Sequence, residues 1–318
     1  MIKVVQSTTS FLFTNPDEHP IKSALYEQDY QKKYYKLSHQ QVMELYDDLL
    51  VDSEALFGER VEVLEEKGIY SKVALCNQGQ PNSSYASLGY IGWMFTRDLA
   101  EDHEEKPSDQ YLVITDKSAY GEIYSMGSSA FESQGLVDIQ LSIGVVLAIV
   151  GQDEKNYMVA SPLGSLTISK RFTRVLNGNL HYEDRRHIVD LAKTFLDLPY
   201  VWAGISTVGF DCSGFMLTLY RTFNIWLNRD AQFQALQGTV VSIEDAQEGD
   251  LLFFAYLEGD EKGFIHHVGM YLGDYHMIHS QTPGSKVQID DIRGTKYERE
   301  LITIRSFLPN ASDVKGSK

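Results

Sequence analysis

For most of its first 180 residues the chain alternates with a period of two. A sustained helical period appears only beyond that point. Alternation over short, glycine-bounded runs confines this part to antiparallel strands. Arg60–Glu65 alternates, Tyr70–Leu75 is strand-like, and Gly89–Met94 is a third short strand. An acidic stretch from Glu101 to Asp109 reads as a hinge, and a second set follows: Tyr111–Thr115, Val145–Val150, Tyr157–Ala160 and Leu166–Ser169. Two small barrels of short strands accommodate this better than one large sheet. Residues 20–50 read as a helical or irregular embellishment of the first. The expected organisation is 1–103, 104–178 and 179–318, an α+β chain with its helical part last.

In the last segment, Phe215, Met216, Leu219, Tyr220 and Phe223 recur at helical spacing directly after Gly209-Phe210-Asp211-Cys212-Ser213-Gly214. Cys212 thus stands where a turn enters a helix. The positive end of the helix dipole there favours thiolate. Gly209 and Gly214 allow a tight turn and a close approach of substrate. Cys76, the other of the two cysteines, has no partner pattern around it and reads as a small buried hydrophobe.

A base for the thiol is sought among nine histidines. Val268–Leu272 and Met277–Ser280 read as strands joined through Gly273-Asp274-Tyr275. Side chains alternate, so His267, Gly269 and Tyr271 share a face and His266 points the other way. A hairpin centred near Gly273 sets His279 opposite His267, on the same face. That makes His267 the candidate base and His279 its orienter. His266 and His276 read as surface or loop residues.

Four stretches in order resemble the NlpC/P60 family of cell-wall cysteine peptidases. They are Leu198-Pro199-Tyr200-Val201-Trp202-Ala203-Gly204, Gly209–Phe215, His267–Gly273, and Met277-Ile278-His279-Ser280. The resemblance spans residues 180–310 and implies a papain-like fold with Cys212, His267 and His279 as its catalytic positions. It further implies that Tyr200 and the Cys212 N–H form the oxyanion site, and that Trp202 lines the substrate pocket. Asp211 and Ser213 are placed to bind substrate polar groups, and Asp230, of Arg229-Asp230, to grip an amine or shape the pocket. The family's Tyr-x-Trp-Gly-Gly has Ala203 in place of its first glycine.

Gly89-Tyr90-Ile91-Gly92-Trp93 resembles the closing strand of bacterial SH3-like domains. Two such barrels ahead of an NlpC/P60 domain resemble one subgroup, the γ-D-glutamyl-L-diamino-acid endopeptidases of murein-peptide recycling. There the first barrel closes the cleft with a tyrosine and an acid that hold the free amine of an N-terminal L-alanine. Tyr90 matches the tyrosine; the acid is Glu59 or Glu54.

Charge and composition narrow the partners. A net charge of −16 disfavours nucleic acid and anionic membranes or wall polymers. A hydrophobic content of 43% suits a folded chain with a real core. The N-terminus shows no basic region ahead of a long apolar run, so a cytoplasmic monomer is expected. No Cys/His cluster has metal-ligand spacing, and neither metal nor cofactor is implied. The expected activity is hydrolysis of the γ-D-Glu–diamino-acid bond in murein-derived peptides with a free L-Ala. The alternatives are a wall-lytic NlpC/P60 endopeptidase on intact murein, a thiol acyltransferase or amidase, and a non-enzymatic binding protein.

Overall fold

A computed structural model describes residues 1–29, 35–81, 88–102, 108–125, 135–176 and 180–310. Part of the acidic stretch, 103–107, lies outside the described residues. The chain divides into two compact units. The first holds Met1–Asn77, Leu88–Asn177 and Ser206–Val208; the second holds Gln78–Ser87, Gly178–Ile205 and Gly209–Lys318.

Unit 1 contains two seven-stranded antiparallel sheets. In the first are β1 (Ile2–Val5), β2 (Thr9–Phe13), β3 (Val51–Leu56), β4 (Arg60–Lys67), β5 (Tyr70–Leu75), β6 (Tyr90–Phe95) and β7 (Leu99–Glu101). Their order is β3-β2-β6-β5-β4-β1-β7. The excursion between β2 and β3 carries α1 (Pro20–Glu27) and α2 (His39–Asp47), the helical embellishment expected there. Ser38 caps α2 in a reciprocal capping box with Gln41. Val5, Leu12, Ala55, Val61, Val73, Leu75, Tyr90, Met94 and Leu99 pack into one core.

The second sheet is built from β8 (Tyr111–Ile114), β9 (Tyr120–Ser125), β10 (Gly135–Gln140), β11 (Val146–Gln152), β12 (Asn156–Ser161), β13 (Gly164–Ser169) and β14 (Thr173–Leu176). Its order is β10-β9-β13-β12-β11-β8-β14. Closed barrels are expected from the alternation. Among the described residues neither order closes, and each sheet keeps two edge strands.

Unit 2 runs from α3 (Asp184–Lys193) through β15 (Ile205–Ser206), whose Ser206 is counted with unit 1, and β16 (Gly209–Phe210) to α4 (Cys212–Arg221) and α5 (Ala231–Gln234). Then come β17 (Thr239–Val241), β18 (Leu251–Ala255), β19 (Ile265–Gly273), β20 (His276–Ser280), β21 (Val287–Asp291), α6 (Lys296–Glu300) and β22 (Leu301–Ser306). Its six-stranded sheet has the order β17-β22-β18-β19-β20-β21, and α4 packs on β19. Leu252, Phe254, Tyr271, Met277, Tyr297 and Ile304 form a core between sheet and α6. The buried Arg185 of α3 fastens helix to sheet. Its guanidinium donates to Asp250 Oδ1 (2.9 Å), Ser306 Oγ (2.7 Å) and the Leu308 carbonyl (2.8 Å). A buried charge is tolerated at such a place only when paired and fully hydrogen-bonded.

Candidate active site

The helical spacing after Cys212 is realised as α4, and Phe215, Met216, Leu219, Tyr220 and Phe223 are all buried. Asp211 starts the helix. Its extended backbone (φ −84°, ψ 178°) and its side chain, accepting from the Gly214 N–H at 2.6 Å, make it the N-cap. Gly214 lets the helix press against the preceding loop: a Cβ there would stand 2.1 Å from the Gly204 carbonyl oxygen. The glycine therefore serves backbone packing under the nucleophile rather than a turn.

Cys212 is the first residue of α4 and is partly exposed, whereas Cys76, expected to be buried, is exposed just after β5. Its sulfur meets the backbone N–H of Val268, the residue after His267, so the start of α4 lies against the strand that carries the imidazole. Burial first, and then the Asp211 carboxylate, push the thiol up to about 12, against the N–H groups of Val268 and Ser213 and the Arg229 charge. Burial opposes the dipole because enclosing protein penalises the charged form.

His267 is buried, with its ring 5.8 Å from that of Phe254 and 5.4 Å from that of Tyr297. Burial, followed by the neighbouring His279, His266 and Lys296, lowers its pKa well below 6.5. His267 Nε2 lies 2.7 Å from Nδ1 of the fully buried His279. The two histidines do share a face, but they are not opposite one another. The turn is Asp274-Tyr275, with φ of 44° and 57°, and the register runs Met270↔Ile278 and Tyr271↔Met277. Extended one step, that register sets His279 across from Gly269, diagonal to His267. The irregularity between Tyr271 and Gly273 moves the turn past the expected centre.

Beyond His279 stands a residue the sequence reading did not select. Asp290 Oδ2 is 3.0 Å from His279 Nε2 and accepts from Gln288 Nε2 at 2.8 Å. In sequence it is one of two adjacent aspartates on an edge strand, a pattern that reads as a solvated face. The usable signal was its β-period: Gln288 pairs with His279, and Asp290 follows two residues on.

Asp211 and Ser213 are engaged by protein. Arg229, 1% exposed, donates through Nη2 to Asp211 Oδ2 at 2.6 Å and through Nη1 to Ser213 Oγ at 3.1 Å. Ser213 Oγ donates to Asp211 Oδ1 at 3.2 Å. Asp230 is half-buried and begins α5. Tyr200 is buried in the loop ahead of β15, its N–H donating to the Ser285 carbonyl at 2.9 Å, and Trp202 beside it is half-buried. Ala203 has φ of +64°, the left-handed region that the family's glycine occupies freely.

The remaining predicted residues lie in unit 1. Tyr90 belongs to the core of the first sheet. Glu54, fully buried on β3, accepts from Ser206 Oγ at 2.9 Å. Glu59, also buried, accepts from the Leu56 N–H at 3.1 Å within the β3–β4 turn. Of the other histidines, His266 stacks on Tyr256 and lies 3.2 Å from Glu300, while His276 Nδ1 is 2.7 Å from the Asp274 carbonyl at the hairpin turn. Among the described residues no group of three His, Cys, Asp or Glu is arranged to hold a metal ion. No helix there is long and apolar enough to cross a membrane.

Residues 197–306 match the NlpC/P60 family. The γ-D-glutamyl-L-lysine dipeptidyl-peptidase of Bacillus subtilis is 34% identical over 274 residues, covering 85% of this chain and 86% of that one. The probable endopeptidase p60 of Listeria grayi is 37% identical, but over 35% of this chain and 20% of its own. An NlpC/P60 family protein from Bacillus cereus, solved by crystallography, superposes with a TM-score of 0.81 at 28% identity, covering 97% of this chain and all of that one.

Proposed function

The chain belongs to the NlpC/P60 family and is a cysteine peptidase, and from that premise we propose that it hydrolyses the γ-D-glutamyl–diamino-acid bond of murein-derived peptides bearing a free N-terminal L-alanine. One observation carries the substrate class. Similarity to the dipeptidyl-peptidase covers 85% of this chain and so runs into unit 1 as well as the catalytic unit, whereas the p60 likeness covers only 111 residues, 35% of the chain. In this reading the sheets of unit 1 are SH3-like domains, 1–103 and 104–178, and their residues help select the substrate.

The Cys212 sulfur attacks the γ-carbonyl carbon as its proton passes to His267. Tyr200 and the Cys212 N–H stabilise the oxyanion. His267 then protonates the leaving amine as the C–N bond breaks, leaving a thioester that water, deprotonated by His267, hydrolyses. His279 orients His267. Trp202 and Asp230 shape the pocket. Asp211 and Ser213 hold the helix entrance with Arg229, and through it the position of the nucleophile. Tyr90 and a buried glutamate of unit 1 recognise the substrate ammonium. That glutamate is Glu54 or Glu59, each of which also accepts a bond from the protein. Such a peptidase fits cytoplasmic peptide recycling.

Mass spectrometry of digests of L-Ala-γ-D-Glu-L-Lys, its diaminopimelate analogue, the N-acetylated peptides and intact sacculi tests the proposal. Release of L-Ala-γ-D-Glu from the free peptides, reduced at least about a hundredfold by acetylation, is expected. Equal cleavage of acetylated peptides or of sacculi would overturn it in favour of a wall-lytic endopeptidase.

A further inference from the structure

We propose that Asp290 is a positioning residue that sets the tautomer of both imidazoles and stabilises the imidazolium formed on His267. The inference rests on Cys212 and His267 being the reacting pair.

It follows from counting protons along the observed contacts. The carboxylate of Asp290 is acceptor-only when ionised. Its bond to His279, aided by Gln288, holds it below the usual carboxylate range despite partial burial. With a single proton on the His279 ring, the 3.0 Å contact therefore places it on Nε2. His279 Nδ1 is then a lone pair, and the 2.7 Å contact requires His267 Nε2 to donate to it. His267 Nδ1 is left without a proton. A neutral imidazole with that nitrogen open is the form that can take the thiol proton. When it does, the positive ring keeps its Nε2–H on His279 and feels the Asp290 charge behind it. No proton moves along the chain; the carboxylate fixes orientation and offsets charge, as a carboxylate does behind a catalytic histidine generally.

Asp290 is itself held in place. Gln288 Nε2 donates to the same Oδ2 at 2.8 Å and contacts Gln281 Oε1 at 3.3 Å. Asp290 and Gln288 lie on one face of β21, alongside the strand carrying His279. The other charged or titratable groups around the imidazoles are Cys212 from α4, His266 on β19, and Lys296, Tyr297 and Glu300 from α6. Of these, Glu300 is paired with His266, so Asp290 is the carboxylate bonded to His279.

Asp290→Ala and Asp290→Asn separate the two roles. The alanine removes the acceptor; kcat is expected to fall about a hundredfold with KM within about threefold, the scale of losing a correctly protonated base. The asparagine, its oxygen kept toward His279 by Gln288, retains the tautomer and loses only the charge. Its kcat is expected to fall about tenfold, and the acid limb of its kcat/KM–pH profile to move to lower pH, because the imidazolium is less favoured. Alkylation of Cys212 by iodoacetamide, followed by peptide mass spectrometry in a Cys76→Ser background, needs no peptide substrate. It should slow about tenfold at pH 7 in Asp290→Ala. A wrong substrate assignment leaves that measurement standing. Wild-type alkylation, kcat and pH profile in a folded Asp290→Ala or Asp290→Asn would overturn the proposal.

Discussion

His279 reaches His267 diagonally across the β19–β20 hairpin, Nδ1 to Nε2 at 2.7 Å, over a position occupied by Gly269. A Cβ built on Gly269 would lie 3.2 Å from the His279 Cβ and 2.8 Å from the Met277 sulfur. The glycine clears the space that the diagonal contact uses. Gly269→Ala should therefore displace the orienter. The Met277 side chain can swing aside, but the His279 backbone-proximal atom cannot. Overpacking of this kind costs about 1–3 kcal/mol, and the misplaced imidazole should lower kcat about tenfold to a hundredfold. Steady-state kinetics beside a thermal melt check both; unchanged kcat would show that His279 tolerates the shift.

Ala203 occupies the left-handed region at φ +64° in the loop that carries Tyr200 and Trp202. An L-residue there costs about 1–2 kcal/mol, partly offset in glycine by its larger unfolded-state entropy. Ala203→Gly, which restores the family's residue, should stabilise the chain by about 0.5–1 kcal/mol and leave kcat within about twofold. Denaturant titration of the purified variant decides it, and a lower midpoint would mean that the Ala203 methyl makes packing contacts worth more than the strain.

Burial opposes charge on both the thiol and the imidazole. Burial raises Cys212 to about 12 and lowers His267 below 6.5. Alkylation of Cys212 should then climb about tenfold per pH unit from pH 7 to 9, with no plateau at low pH; a plateau below pH 7 would reveal a preformed thiolate–imidazolium pair. Stability carries a second signature. His267 has a folded pKa depressed below its unfolded 6.5, so below pH 6.5 the unfolded chain takes up a proton that the folded one refuses. Stability should fall with pH from that point, by up to about 1.4 kcal/mol per unit. His267→Gln should lose that slope, measured by urea unfolding at pH 5 and 7.

The helix after Cys212 and the shared face of His267 and His279 were legible because periodicity is a local signal. The pairing of the two histidines was displaced by two residues. It depends on where a turn falls, and Asp274-Tyr275 took left-handed backbone that Gly273 alone advertised. Strand β2 gave no signal because Thr9 and Ser10 follow a polar run yet are fully buried, Ser10 donating to Asp98. The burial that opposes thiolate at Cys212 was not legible beside the helix dipole, because enclosure is a tertiary property. Asp290 stayed hidden for the same reason: only strand pairing brings it to His279. Arg229 was seen as a loop neighbour of Asp230, and nothing local told that it turns inward to Asp211.

That inward turn supports the last prediction. Arg229 and Asp211 form a buried bidentate pair, with Nη2 to Oδ2 at 2.6 Å and Nη1 to Oδ1 at 3.3 Å, directly beneath the first turn of α4. Removing the cation leaves a buried carboxylate without its counter-charge, a loss of about 3–5 kcal/mol. It also withdraws a charge that pulls the thiol down, while the Asp211 charge that pushes it up remains. Arg229→Met should therefore destabilise strongly and slow Cys212 alkylation in whatever fraction stays folded. The double variant Asp211→Asn with Arg229→Met removes both charges and keeps a cap for the Gly214 N–H, so it should recover most of the stability. Chemical denaturation of the wild type, Asp211→Asn, Arg229→Met and the double variant forms a double-mutant cycle. A near-zero coupling between the two positions would mean that the pair contributes nothing beyond its separate hydrogen bonds.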